Sequence, residues 1–331
     1  MPIKRFAAFA ALGLAAPLQA NDSEAAVGLG GIELVRNESV SMDSEDLFLS
    51  AKEVRVRYRY TNHAARSVEL TIAFPLPVLR AADAASYGDQ AIPDFDGLDF
   101  HTEVDGQPVK LEMVRRAEIN GRDVTRRVTA LGWRVDWIDG TGEEPDFVRA
   151  LGPAQRATYV RERLLTAVPD LGEGVVLPAW DVATLVTRKQ VFPAHASVSV
   201  THRYAPMLGG SVGGGLEPGY RKSNAEHLQR YCVDKAFLAT FDRKLAAQRR
   251  AAPDSMAYGE TWLSYVLSSG RNWKGPIGDF RLVVDKGRAD NLVSFCMVGV
   301  KKLTPTQFEV RRTNFEPAGD LDVLIVEWSR P

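Results

Sequence analysis

Hydrophobic and polar residues alternate along two neighbouring segments of the chain. Over residues 53–60 every second residue is apolar, and the pattern resumes over residues 68–74 after a polar break at residues 62–65. A period of two places one face of a strand against a core and the other face in water. The two segments therefore predict antiparallel strands joined as a hairpin, the second of which ends at Pro75.

Turn residues and further alternation extend this pattern. Asp105-Gly106 between two alternating segments predicts another hairpin. Strands are also predicted at residues 197–204, 261–267, 280–284, 292–298, 308–312 and 321–328. The chain is therefore predicted to be mainly β, with an antiparallel β-sandwich architecture that carries helical insertions.

Helical spacing of apolar residues interrupts the strands. The period changes at Asp123, where Val124, Val128 and Leu131 recur at helical spacing, and Asp234 is placed to cap a later helix. The predicted regions are a signal peptide (1–20), an N-terminal β region (21–122), a helical insertion (123–170) and a C-terminal β region with one helix (171–331).

An arginine-rich face lies within the predicted insertion. Arg156, Arg161 and Arg163 point away from the apolar stripe of their helix. Such a face is either simply solvated or a site for an anion or a partner.

The N-terminus has the features of a secretory signal. Lys4 and Arg5 precede an uncharged apolar run at residues 6–18, which is shorter than the about 20 residues that span a bilayer. We expect cleavage before Asn21 and a periplasmic or secreted protein. A buried N-terminal helix is the alternative. No later segment has the length and hydrophobicity of a membrane span.

Charge and cysteine content narrow the class of protein. The 41 basic and 42 acidic residues nearly balance, which argues against nucleic acid or an anionic membrane surface as partner. In an oxidising compartment Cys232 and Cys296 predict a disulfide, with two free buried thiols or one reactive thiol as alternatives. The Cys and His residues lack the spacing of a metal site, and we predict neither a metal centre nor a cofactor.

Three groups of residues are candidates for binding. Asp94, Asp96 and Asp99 gather carboxylates on a turn, either as a weak calcium site or as a solvated acidic turn. His202 and Tyr204 lie on the apolar face of a strand, where a core histidine competes with a functional one. Trp273 and Lys274 occupy a turn, where the indole either folds back over the sheet or contacts a partner.

Several segments together resemble a bacterial family of exported proteins known as domain of unknown function 4424. They are Asn21-Asp22-Ser23, Met42-Asp43-Ser44-Glu45-Asp46-Leu47, Phe74-Pro75-Leu76-Pro77, His202-Arg203-Tyr204-Ala205-Pro206, Tyr231-Cys232-Val233-Asp234, Asn272-Trp273-Lys274-Gly275-Pro276-Ile277-Gly278-Asp279-Phe280 and Ser294-Phe295-Cys296. The resemblance implies an extracytoplasmic location, and it supports pairing of the two cysteines because both belong to the family pattern. It implies no activity.

The sequence favours a non-catalytic binding or interaction module of the periplasm or cell envelope, with an envelope protein or a ligand as its partner. An envelope enzyme with a dispersed active site, using His202 or the aspartate turn, is the alternative. A structural component of a larger envelope assembly is a third possibility.

Overall fold

The computed structural model describes residues 22–28, 31–86, 98–139, 141–253 and 256–329. The strands are β1 (Ser23–Gly28), β2 (Gly31–Val35), β3 (Val40–Ser50), β4 (Val54–Asn62), β5 (Val68–Pro75), β6 (His101–Val104), β7 (Gln107–Pro108), β8 (Glu112–Ile119), β9 (Arg122–Asp123), β10 (Leu165–Ala167), β11 (Val176–Pro178), β12 (Asp181–Phe192), β13 (Ser197–Tyr204), β14 (Leu208–Ser211), β15 (Tyr258–Tyr265), β16 (Ile277–Asp285), β17 (Leu292–Phe295), β18 (Lys301–Lys302), β19 (Gln307–Phe315) and β20 (Leu321–Trp328). The α-helices are α1 (Thr125–Ala130), α2 (Asp146–Arg149), α3 (Pro153–Arg161), α4 (Ala225–Arg230) and α5 (Lys235–Ala251).

The described strands form four sheets, and the predicted fold class is confirmed. An eight-stranded sheet has the order β18-β19-β16-β3-β4-β13-β6-β7, and a six-stranded sheet has the order β2-β1-β5-β12-β8-β9. A four-stranded sheet has the order β14-β15-β20-β17, and β10 pairs with β11. Neighbouring strands are antiparallel except for β3 and β16, which run parallel. Both predicted β regions contribute strands to the eight-stranded sheet, and the predicted division of the chain stays a prediction.

The main core lies between the eight-stranded sheet and the two sheets that face it. Tyr58 and Tyr60 of β4 belong to the same buried cluster as Ile72 and Phe74 of β5. The predicted hairpin of these two strands is wrong, because β4 pairs with β3 and β13 whereas β5 pairs with β1 and β12. The chain changes sheets at the buried Asn62, whose amide donates to the carbonyls of Arg66 and Phe192. Alternation reports which face is buried but does not identify the neighbouring strand.

The predicted Asp105-Gly106 turn and the predicted helix cap at Asp234 are present, whereas the N-cap of α1 is Val124, which makes no capping hydrogen bond. Asp105 and Gly106 have positive φ angles and join β6 to β7, as a two-residue hairpin requires. Asp123 accepts a hydrogen bond from the backbone N–H of Thr125 at the start of α1. The carboxylate of Asp234 accepts from the N–H of Phe237 and caps α5.

Two smaller cores flank the main one. Helices α1 to α3 pack with Trp133 and Trp180 against the ends of β8 and β12. Helix α5 buries Phe241 and Leu245 against Tyr258 and Trp328 of the four-stranded sheet. Within the described residues, none of the helices has the length and hydrophobicity needed to cross a membrane.

Candidate functional site

A cluster of charged side chains lies in the main core. Both guanidinium NH groups of Arg188 donate to the carboxylate of Asp22, at 3.0 Å to Oδ1 and 2.6 Å to Oδ2. His202 Nε2 lies 3.1 Å from Asp22 Oδ1. The side chains of Asp22, Arg188 and His202 are 0%, 2% and 1% exposed. A charged group this deeply buried is tolerated only when it is paired and hydrogen-bonded. We call these three residues the interior cluster.

Neighbouring groups add hydrogen bonds to the interior cluster, although Arg188 Nε is buried without a partner. Thr102 Oγ1 lies 2.7 Å from His202 Nδ1, and the Tyr60 hydroxyl donates to Asp22 Oδ2 at 3.3 Å. The indole N–H of Trp273 donates to the backbone carbonyl of Asp22 at 2.6 Å. Four side chains, from β4, β12, β13 and the segment before β16, therefore contact Asp22, and Thr102 of β6 is joined to it through His202.

Burial and the neighbouring charges together set the protonation states of the interior cluster. Burial lowers the pKa of His202, so that its imidazole is neutral at neutral pH. Because Nε2 faces a carboxylate, the neutral ring carries its proton there and accepts from Thr102 at Nδ1. Burial alone would raise the pKa of Asp22, but Arg188 and His202 hold it well below its ordinary range. Asp22 is therefore ionised and Arg188 is its counter-ion.

Two of the predicted binding residues belong to the interior cluster or contact it, His202 as a member and Trp273 through its hydrogen bond to Asp22. His202, Tyr204 and Trp273 are buried, with 0%, 4% and 1% of their surface exposed, whereas Lys274 is exposed. The indole of Trp273 packs against Tyr60 with ring centroids 4.5 Å apart. Groups without solvent contact cannot meet a ligand in this conformation, and the geometry gives them a role in holding the two facing sheets together. Their roles in binding stay predictions.

The other residues singled out in the sequence fall in separate places. Cys232 and Cys296 form a disulfide that joins the end of α4 to the residue after β17. Asp94 and Asp96 lie outside the described residues, whereas Asp99 is exposed and accepts from His101 Nε2 at 2.7 Å. The described residues contain no group of three or more side chains suited to a metal ion.

An open cleft of about 830 Å³ lies in the helical insertion. Its walls are the β8–β9 turn, helix α1 and the C-terminal end of α3. Ile119, Val124, Ala130 and Leu164 contribute apolar surface to it. Small-molecule sites commonly have volumes of about 300–1,000 Å³, with apolar walls and a few polar groups. We call this region the insertion cleft.

Basic side chains outnumber acidic ones around the insertion cleft. Arg122, Arg126, Arg127 and Arg163 line it together with Asp123 and Glu162. Arg127 donates to Glu162 at 2.9 Å. The other three arginines are exposed, and in the described part of the chain no carboxylate lies within ion-pair distance of them. Three cations are therefore available to a ligand.

A second histidine–carboxylate pair lies between α4 and β15. Glu260 Oε2 is 2.9 Å from His227 Nε2 and accepts from the indole of Trp262 at 3.1 Å. The other oxygen, Oε1, is buried without a hydrogen-bond partner. The side chain of His227 is 21% exposed, whereas that of Glu260 is 1% exposed. Thirty-three residues separate the two in sequence, so no local spacing could reveal the pair.

The fold and surface define a β-rich protein with one disulfide and an open basic cleft in a helical insertion. The chain belongs to the family described as domain of unknown function (DUF4424), whose model matches residues 20–324. The resemblance found in the sequence is therefore confirmed. No curated protein matches the chain.

Two solved structures show weak likeness to this chain. A candidate nutrient binding protein from Legionella pneumophila is 12% identical, with 93% of this chain and 70% of that chain covered at a TM-score of 0.40. The M1 zinc metallopeptidase from Deinococcus radiodurans is 9% identical, with 88% and 43% covered at a TM-score of 0.24. Neither likeness carries an argument about this protein.

Proposed function

We propose that this protein is a non-catalytic binding module exported to the periplasm or cell envelope, with its ligand held in the insertion cleft. The observation that carries the proposal is the cleft itself, which combines apolar walls with arginines that lack carboxylate partners. The interior cluster is a poor alternative site, since its three side chains are at most 2% exposed.

Export is supported by two features. The apolar run at residues 6–18 follows two basic residues, and the two cysteines are joined as a disulfide, which persists in oxidising compartments. Mass spectrometry of the protein from the exported fraction tests this part. We expect the denatured, unreduced protein to have the mass of a chain that begins at Asn21, less the two hydrogens lost in forming the disulfide. A mass that retains residues 1–20 would contradict it.

Binding in the insertion cleft is tested by filling it. Native mass spectrometry of the same preparation should show added ligand mass on the wild type. Ala130→Trp places an indole in the cleft and should remove that mass. Ala154→Trp is the matched control, because Ala154 is an exposed helical alanine away from the cleft, and it should retain the ligand. No added mass on the wild type, or equal retention by both variants, would contradict the proposal.

Acid–base catalysis at His227 is a second candidate function. A half-buried imidazole oriented by a buried carboxylate is an arrangement that general bases use. Hydrolysis of generic ester, glycoside or phosphate substrates that disappears in His227→Gln would support it. No turnover by the wild type, or turnover that the substitution leaves unchanged, would reject it.

A further inference from the structure

We infer that the ligand of the insertion cleft is a small organic anion, an apolar body that carries a carboxylate or phosphate group, and that Arg163 is its principal anion-binding residue. This inference rests on the proposed function and adds the chemical class of the ligand.

The left-handed backbone conformation of Arg163 supplies the first argument. Helix α3 ends at Arg161 with Glu162 as its C-cap, and the next residue, Arg163, has a φ of 60°. The N–H of Arg163 donates to the carbonyl of Val160, and the N–H of Leu164 donates to the carbonyl of Tyr159. These two bonds define a Schellman motif, whose left-handed position is usually glycine because a Cβ is unfavourable there. This chain has an arginine at that position.

Other residues with positive φ show that Arg163 is unusual. Among the described non-glycine residues, five are Asp, Asn or His, the types that enter this conformation most readily. They are Asp99, Asp105, Asn120, His195 and Asn314. The sixth, Cys232, follows α4 in a Schellman motif of its own, in which its N–H donates to the carbonyl of Gln229 and the N–H of Val233 donates to that of Leu228, and it forms the disulfide. Among the described residues with positive φ, Arg163 alone is neither glycine, Asp, Asn or His nor a disulfide cysteine, and non-glycine residues in this conformation cluster at ligand-binding sites.

The side chain of Arg163 supplies the second argument. It lines the insertion cleft together with Arg122 and Arg126, and it has no carboxylate partner among the described residues. A guanidinium presents a planar fork of donors that matches the oxygens of a carboxylate or phosphate. Three such groups around one concave surface attract an anion and reject a cation.

The apolar lining of the cleft supplies the third argument. Ile119, Val124, Ala130 and Leu164 provide apolar surface that an inorganic anion would leave in water. An apolar body attached to the anionic group covers this surface and gains free energy from its burial. The volume of about 830 Å³ sets the size of the ligand at that of a small molecule.

Three probes with the same apolar body test the inference. They are 4-phenylbutyrate, 4-phenylbutyl phosphate and the neutral 4-phenylbutan-1-ol, each titrated into the full-length exported protein by calorimetry. We expect at least one of the two anions to bind about tenfold or more tightly than the alcohol, since a charge-assisted contact is lost. Which anion binds better identifies the anionic group.

Variants assign the effect to Arg163. Arg163→Gly restores the residue that the Schellman motif prefers, so it should fold while losing about tenfold or more in affinity for the anion. Arg161→Gly is a charge-matched control, because Arg161 is an exposed arginine of the same helix that does not line the cleft.

The possible outcomes distinguish the cleft, the anionic group and the role of Arg163. Equal binding of anion and alcohol that Ala130→Trp abolishes would retain the proposed cleft and overturn the anion. Anion binding that is unchanged in Arg163→Gly would overturn the role of Arg163. No binding of any probe would overturn the ligand class, whereas retained native ligand in the mass spectrum would still support a binding module.

Discussion

Two arginines in this protein have opposite surroundings. Arg188 is 2% exposed and both of its NH groups donate to Asp22, which also contacts His202. Arg163 is exposed at the rim of a cleft, and no described carboxylate pairs with it. A guanidinium that is paired with a carboxylate inside the protein contributes to the fold, whereas one that faces an open concave surface is available to a ligand. This contrast is the reason why we propose a structural role for the interior cluster and ligand recognition at the insertion cleft.

Removal of the carboxylate from the interior cluster should cause the largest loss of unfolding free energy. Asp22→Ala leaves the Arg188 guanidinium buried and uncompensated, which costs about 3–5 kcal/mol of unfolding free energy. Urea unfolding measures it. Asp99→Ala is the control, since this exposed carboxylate should matter by no more than about 0.5 kcal/mol.

The double variant Asp22→Ala with Arg188→Met sharpens this result. Loss of both charges removes the unpaired guanidinium and should recover part of the lost stability, because apolar replacement of a buried pair is often nearly neutral. A loss below about 1 kcal/mol for Asp22→Ala alone would show that the interior cluster is not a structural element.

Acid should weaken the interior cluster. The pKa of Asp22 lies well below the value of about 3.9 expected for the unfolded chain, so its contribution is complete above that pH and is lost as pH falls through the folded pKa. Burial also lowers the pKa of His202 below about 6.5, so the stability gained from its neutral imidazole decreases as pH falls below that value. Acid therefore lowers the unfolding free energy through both groups.

The unfolding free energy should therefore fall as pH decreases from neutrality, slowly below about pH 6.5 and more steeply below about pH 4. Each unit by which a pKa is lowered contributes about 1.4 kcal/mol. Urea titrations across this range provide the measurement. Stability that stays constant or rises on acidification would contradict the charge states assigned to Asp22 and His202.

The smallest expected change in unfolding free energy concerns the backbone of Arg163 in the insertion cleft. Arg163→Gly should stabilise the fold by about 1 kcal/mol, because glycine removes the cost of a left-handed arginine. Thermal unfolding measures this shift, and Arg161→Gly should instead destabilise by up to about 1 kcal/mol, since it puts glycine at the last residue of helix α3. Destabilisation by Arg163→Gly would show that the arginine contributes to the fold.

Local sequence patterns predicted much of the fold. Alternation located β4, β5 and β13, and Asp105-Gly106 located the turn between β6 and β7. Strand β12 was missed because it is buried on both faces in the middle of the six-stranded sheet, and such strands do not alternate.

The sites were harder to predict because they join residues that are distant in sequence. Asp22 and Arg188 are 166 residues apart, and nothing local indicates that they meet. Arg163 was noted only as one of three arginines on a helix face. Its left-handed backbone has no sequence signal, because glycine is the residue that normally reveals a helix end of this type.

The most direct test of the central claim is the location of ligand contacts by NMR. Backbone amide shifts would be recorded on the exported protein during titration with 4-phenylbutyrate or 4-phenylbutyl phosphate, whichever binds more tightly. The proposed anion site predicts that the largest changes map to the β8–β9 turn, α1 and residues 162–164, with none at Arg188 or His202. Changes centred on the interior cluster, or no changes at the insertion cleft, would contradict it.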